Sequence, residues 1–306
     1  MKQAISVSIG SSKRDKTVEI ELLGQQVKIE RRGTDGDMQA ATRLYEELDG
    51  KVDAFGVGGT DLGLMVDGHW YRLHSVSSLV SQVKKTPVVD GTGLKHTLER
   101  GAAELVNREL SQYLPNKRVL AVTAVDRWGL SEAFFKSGYE VVYGDMMFSL
   151  GLPIALHSPS NVKLMAKLLI PIVGRLPFHW VYPTGKEQEK RTPKWGKWFQ
   201  WATIIAGDCH YIRRYMPDEL TGKIIVTNTT TPEDKEAFHK AGVKYLITTT
   251  PVLDGRSFGT NMMEAALVAA SGRTQPIDYT HPGSYFQDIE ALVRKLHLVP
   301  QLQELG

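Results

Sequence analysis

One cysteine, Cys209, is all that 306 residues contain. A single thiol excludes an intrachain disulfide and any metal site built from several thiolates of one chain. Long apolar runs are missing as well: the best, Leu164 to Val173, is interrupted by Lys167 and Pro171 and is too short to cross a bilayer. The opening MKQAISVSIGSSKRD has no apolar signal core before charge returns, so a cytoplasmic protein is expected. Neither sign of charge dominates, because 37 Lys and Arg against 34 Asp and Glu leave +3, which does not by itself indicate nucleic acid. There is no solenoid-type repeat, no low-complexity segment and no G-x-G-x-x-G fingerprint.

What is present has the composition of a soluble globular protein, 42% apolar and 23% charged. Short β-type runs come first, at Ile5 to Ile9, Val18 to Leu23 and Val27 to Arg31. A helix is expected over Met38 to Leu48, capped by Asp37 or Asp35, then a strand over Val52 to Val57 and a hairpin at Asp67-Gly68. From Thr86 to Leu114 the pattern is a short strand, a glycine corner and a long helix, broken at Pro115. After Arg118, buried strands alternate with helices, the pattern of a parallel sheet with crossover helices. Six strands are expected, at Val119 to Val125, Glu140 to Tyr143, His179 to Tyr182, Thr203 to Ala206, Lys223 to Thr227 and Tyr245 to Thr249. Asn261 to Ala270 reads as the helix after the sixth.

The fold class expected is therefore α/β: an N-terminal α+β substrate domain over 1–115, a doubly wound, Rossmann-like nucleotide-binding domain over 116–275 in the order 3-2-1-4-5-6, and a helical tail over 276–306. In such a sheet ligands bind where the strand order reverses, outside the carboxyl ends of the first and fourth strands. The loops there are AVDRWGLSE (124–132) and AGDCHYIRR (206–214).

In the first loop only Gly129 can let backbone approach a phosphate, and Arg127 offers a forked donor in its place. Asp145, after the second strand, stands where an acid would hold a ribose hydroxyl; both residues serve equally as ordinary strand-end polar groups. In the second loop, Gly207 permits a tight turn at Asp208, and the helix behind it presents amides to an anion. Arg213 or Arg214 could hold a substrate anion there, and His210 has a pKa suited to acid–base work. Cys209 reads as a small buried hydrophobe or as a low-pKa nucleophile. Three N-terminal corners, GSSKRD (10–15), RRGTDGD (31–37) and GVGGTDLG (56–63), combine flexible turns with charged and hydroxyl groups, as a site for a small polar ligand does and as β-turns also do. The connection KEQEKRTPKWGKWFQWA (186–202) interleaves lysines with tryptophans, but Glu187 and Glu189 dilute its charge and a lid or interface loop explains the tryptophans equally well, so nucleic acid is not the partner expected.

The strand ends VTNTTTPEDK (226–235) and ITTTPVLDG (247–255) resemble the N-R-T and N-A-T-P segments of shikimate and quinate dehydrogenases. Through SVSIGSSKRD, ERRGTDGD, TPVVDGTGLKHTLER and GDCHYIRRYMP, nearly the whole chain resembles a group of bacterial quinate 5-dehydrogenase-like proteins. The resemblance implies NAD or NADP as cofactor, with Asn228, Thr229 and Thr249 on the cofactor side. The segment nearest the family's lysine motif is DGTGLKHTLE, which would make Lys95 catalytic, with Asp61 as its acid partner. Two departures stand out: AGDCHY replaces G-x-G-G-A, and Thr229 stands where an arginine would read the NADP phosphate.

The function expected is an NAD(P)-dependent oxidoreductase acting on a small hydroxylated carboxylate such as a quinate- or shikimate-like compound. The alternative is a Rossmann-like sensor that holds a nucleotide or metabolite without turnover. Neither needs a metal or a membrane, and a homo-oligomer is compatible with both.

Overall fold

A computed structural model describes residues 1–177, 191–250, 252–253 and 256–306. The described chain falls into two units, one of residues 1–94, 167–177, 252–253 and 256–297, the other of residues 95–166, 191–250 and 298–306.

In the first unit β1 (Lys2–Ser8) is apolar or small along most of its length, is buried from Ala4 onward, and takes the centre of a sheet. β2 (Lys16–Leu22) alternates charge and hydrophobe, so Val18, Ile20 and Leu22 are buried while Glu19 and Glu21 stay in water. With β3 (Gln25–Gly33), β4 (Ala54–Gly58), a hairpin of β5 (Gly63–Val66) and β6 (His69–Arg72), and β7 (Val88–Val89), the main sheet has the order β2-β3-β1-β4-β7. Only β2 runs antiparallel in it. Asp37 caps the helix Met38–Leu48 by accepting from the Ala40 amide. Asp67 and Gly68, at φ of 52° and 77°, form the two-residue turn between β5 and β6.

The second unit contains β8 (Arg118–Ala121), β9 (Glu140–Tyr143), β10 (Ile204–Ala206), β11 (Ile224–Thr227) and β12 (Tyr245–Thr248), all parallel. The helices Trp128–Lys136, Cys209–Tyr215 and Pro232–Lys240 lie among them. β15 (Gln301–Glu304) adds antiparallel to β12, giving β15-β12-β11-β10-β8-β9, while β13 (Val252–Leu253) and β14 (Arg256–Ser257) form a small hairpin that belongs to the first unit. Five of the six expected strands are in the expected order. The expected third, His179 to Tyr182, lies outside the described residues, as do Lys186, Glu187, Glu189 and Lys190 of the basic connection. The protein is an α/β chain whose second unit is a doubly wound, Rossmann-like sheet. Among the described residues no helix is long and apolar enough to cross a membrane.

Two expectations change. The helix read over Asn261 to Ala270 runs over Thr260–Ser271, and it packs on β1, β3 and β4 of the first unit rather than on the Rossmann-like sheet. MMEAALVAA is apolar nearly all round and must be covered on most sides, which the face of the first sheet provides. The units therefore do not coincide with boundaries at 115 and 275. The long helix before Pro115 is in fact two, Thr92–His96 and Gly101–Leu110, separated by a 3-10 turn at Leu98–Arg100 where Thr97 leaves helical geometry at ψ −75°.

Candidate functional site

The strand order reverses between β8 and β10, and their following loops do meet: the Val122 amide donates to Ala206 O and the Asp208 amide to Thr123 Oγ1, at 2.8 and 3.1 Å. The centre of the junction is Arg127. Its guanidinium is 4% exposed and contacts Glu99 at 2.5 Å, Asp208 at 3.0 Å and Asp126 at 3.5 Å. Burial works against its charge, but Glu99, Asp126 and Asp208 together hold its pKa above the ordinary value. An arginine expected to receive a cofactor phosphate thus pairs with carboxylates of its own chain, and its Nε makes no hydrogen bond among the described residues.

The helix expected to present amides is capped from within. Asp208 accepts from the His210 amide at 2.9 Å, Asn228 Oδ1 accepts from the Cys209 amide at 3.1 Å, and the Asp208 amide is taken by Thr123. Asn228 also donates to Asp208 at 3.0 Å, so it binds loop to loop. Burial disfavours the Asp208 charge, yet Arg127 and then His210 keep its carboxyl below the usual range. Gly207 is required by its φ of 148° and by Thr123 N, which stands 3.2 Å from where a Cβ would sit. Gly129 is required by packing: a Cβ there would collide with the Lys95 carbonyl and lie 3.1 Å from His96 Cα.

The remaining expected residues are dispersed. Asp145 is buried and accepts from the Val125 amide at 2.8 Å; its other oxygen has no hydrogen bond among the described residues. Burial raises its pKa to about 7, partly offset by backbone donors. Thr229 Oγ1 meets Thr250 Oγ1 at 3.4 Å, and the Thr249 hydroxyl is buried. Arg213 pairs with Asp234 at 3.2 Å, and Arg214 lies over the Tyr215 ring. Cys209 belongs to the core, where burial pushes its thiol well above its ordinary pKa, so the reactive reading fails. His210 is exposed.

Lys95 has an acid partner in Asp126. Lys95 Nζ stands 2.5 Å from Asp126 Oδ1, with side-chain exposures of 8% and 22%. Asp61 belongs to the first unit. Asp126 lies in AVDRWG, 31 residues beyond Lys95, and no local spacing reveals the pair.

The sequence reading also missed a buried acidic pair in the first unit. Asp90, after β7, accepts from the Leu62 and Thr92 amides at 2.8 and 3.0 Å. Glu264, 0% exposed, accepts from the Leu94 amide at 2.8 Å and the Tyr285 hydroxyl at 2.6 Å. Burial raises Glu264 to about 7, against the pull of Tyr285, and Asp90 pushes it the same way. Tyr279 is buried beside both, and the buried Thr60 hydroxyl has no hydrogen-bond partner among the described residues. The available signal was Glu264 itself, the one charged residue in TNMMEAALVAAS. Among the described residues no three His, Cys, Asp or Glu side chains are grouped to hold a metal ion.

Residues 93–305 match the family model of a domain of unknown function, DUF8754. The chain belongs to that family. Residues 3–90 match a second domain of unknown function, DUF8753. No curated protein matches the chain. Similar solved structures include a glutamate dehydrogenase from Thermus thermophilus in its leucine-bound form, at 12% identity and TM-score 0.43, covering 96% of this chain and 73% of that one. An NAD-dependent malic enzyme from Thermotoga maritima has 11% identity and TM-score 0.39, covering 96% and 84%. A Mycobacterium smegmatis protein in complex with β-D-fucofuranose has 12% identity and TM-score 0.33, covering 100% of both chains. Likeness at this level transfers neither ligand nor activity to the DUF8754 chain.

Proposed function

We propose that this DUF8754 chain is an oxidoreductase for a small hydroxylated carboxylate of the quinate or shikimate kind, with NAD or NADP as hydride carrier. The observation that carries the reading is the Lys95–Asp126 pair at the switch point of a doubly wound sheet. Asp126, partly open to solvent, takes the proton of a substrate hydroxyl; the Lys95 ammonium beside it stabilises the negative charge left on oxygen.

The residues at the switch point do not fit a dinucleotide diphosphate in its usual place. Arg127 is neutralised by Glu99, Asp126 and Asp208, the first amides of the helix Cys209–Tyr215 are taken by side chains, and Gly129 is packed against Lys95.

That misfit favours a second reading, a sensor that binds a metabolite without turnover. Absorbance at the reduced-nicotinamide band separates the two. With quinate, shikimate and related hydroxy acids, and NAD or NADP, the wild type is expected to turn over; Lys95→Met and Asp126→Asn are expected to lower kcat by roughly 10²- to 10⁴-fold. Silence across the panel with both carriers, together with a tightly held ligand in native mass spectra, would leave the sensor.

A further inference from the structure

The three polar corners of the N-terminal sequence converge on one place. The Ile9 amide donates to Gly58 O at 3.1 Å, the Thr34 amide to Ser8 O at 2.8 Å and the Gly36 amide to Ile9 O at 2.8 Å. Ser12 donates to Asp35 from its amide at 2.8 Å and its hydroxyl at 2.7 Å. The corners GSSKRD, RRGTDGD and GVGGTDLG thus form one rim at the carboxyl ends of the parallel strands β1, β3 and β4.

On that rim two guanidinium groups come together over a bare glycine. A Cβ on Gly10 would stand 2.7 Å from Arg14 Nη2, 3.2 Å from Arg31 Nη2 and 3.3 Å from Ser8 Oγ, so the bare glycine leaves room there that a side chain could take only by displacing the end of Arg14. Arg31 is fixed: it donates to Ser8 Oγ at 2.9 Å, to the Ser11 carbonyl at 2.9 Å and to Asp15 at 2.6 Å, and its side chain is 11% exposed. Arg14 is exposed and has no ion pair among the described residues. Burial, and then the Arg14 charge, lower the pKa of Arg31 despite Asp15. Two like charges facing one space repel unless an anion lies between them, and arginine's planar fork suits an oxyanion with two or more oxygens.

We propose that Arg14 and Arg31, converging over Gly10, form a binding site for the carboxylate or phosphate group of a small ligand. Asp15 and Asp35 do not fill it, because Asp15 is held by Arg31 Nη1 and the Gly33 amide and Asp35 by Ser12. In its carboxylate form the proposal rests on the oxidoreductase reading for the identity of the ligand; the binding itself requires no turnover.

Calorimetric titration at fixed ionic strength, with quinate and with inorganic phosphate as probes, tests the site without any redox carrier. The full chain is expected to bind at least one saturably. Quinate alone identifies a carboxylate site, phosphate alone a phosphate site, and mutual competition a shared one. Arg14→Gln is expected to weaken binding about tenfold or more, with the melting temperature unchanged because Arg14 is exposed and unpaired among the described residues. Arg32→Gln, the neighbouring arginine that pairs with Glu30, is expected to leave affinity unaltered. The site is overturned if neither probe binds saturably, if Arg14→Gln binds as the wild type does, or if Arg32→Gln loses as much as Arg14→Gln. Anion binding without dehydrogenase activity would remove the oxidoreductase reading and leave the site standing.

Discussion

Asp145 and Glu264, one in each unit, are buried carboxyl groups whose pKa values rise from 3.8 and 4.5 to about 7. Between those limits the folded chain binds more protons than the unfolded chain, so unfolding free energy falls as pH rises through the window and levels off above it. The slope is at most ~1.4 kcal/mol per pH unit for each group. Urea midpoints are therefore expected to be higher near pH 5 than near pH 8, with Asp145→Asn and Glu264→Gln each flattening the difference. A midpoint that climbs over that range would contradict the burial of both acids. Arg127 has a separate consequence. Arg127→Ala would take the guanidinium from between Glu99 and Asp208, while Asp126 keeps Lys95, and the expected loss is about 3–5 kcal/mol of stability, read from denaturant unfolding. An arginine that only held a cofactor phosphate would lose affinity and leave stability nearly untouched.

The helix Trp128–Lys136 starts where a nucleotide-binding helix would, yet Gly129 brings it against the Lys95 carbonyl. Gly129→Ala is expected to cost about 1–3 kcal/mol from overpacking, visible as a lower melting temperature without added ligand. The helices and strands themselves were largely legible. The cap read as Asp37 or Asp35 is Asp37, Asp67-Gly68 announced its turn, and the parallel strands their apolar runs. The meeting of the loops at 124–132 and 206–214, seen in the Arg127–Asp208 pair, also followed from strand order alone. What those loops do did not follow. Glu99 reaches Arg127 across 28 residues and Asp126 reaches Lys95 across 31, and local pattern carries no record of which acid answers which base. Arg127 looked available because two of its acidic partners, Glu99 and Asp208, lie far along the chain.

The first unit is closed by residues from the far end of the sequence. Its sheet packs on the helix Thr260–Ser271, and Glu264 of that helix receives the Leu94 amide. A fragment of residues 1–94 is expected to lack a cooperative unfolding transition by circular dichroism, because the face carrying Ala4, Val27, Ile29 and Ala54 would have no cover. A linear reading placed this helix in the Rossmann-like domain because it follows the sixth strand; hydrophobicity showed that it was buried, without showing against what. Synthesis adds a further consequence. At 5–20 residues per second the ribosome delivers the closing helix on the order of ten seconds or more after β7 has emerged. Throughout that interval an unfinished apolar sheet is open to wrong neighbours, so this protein is expected to depend on chaperones while it is being made, and to be rescued by slowed translation less well than a chain whose domains close in order.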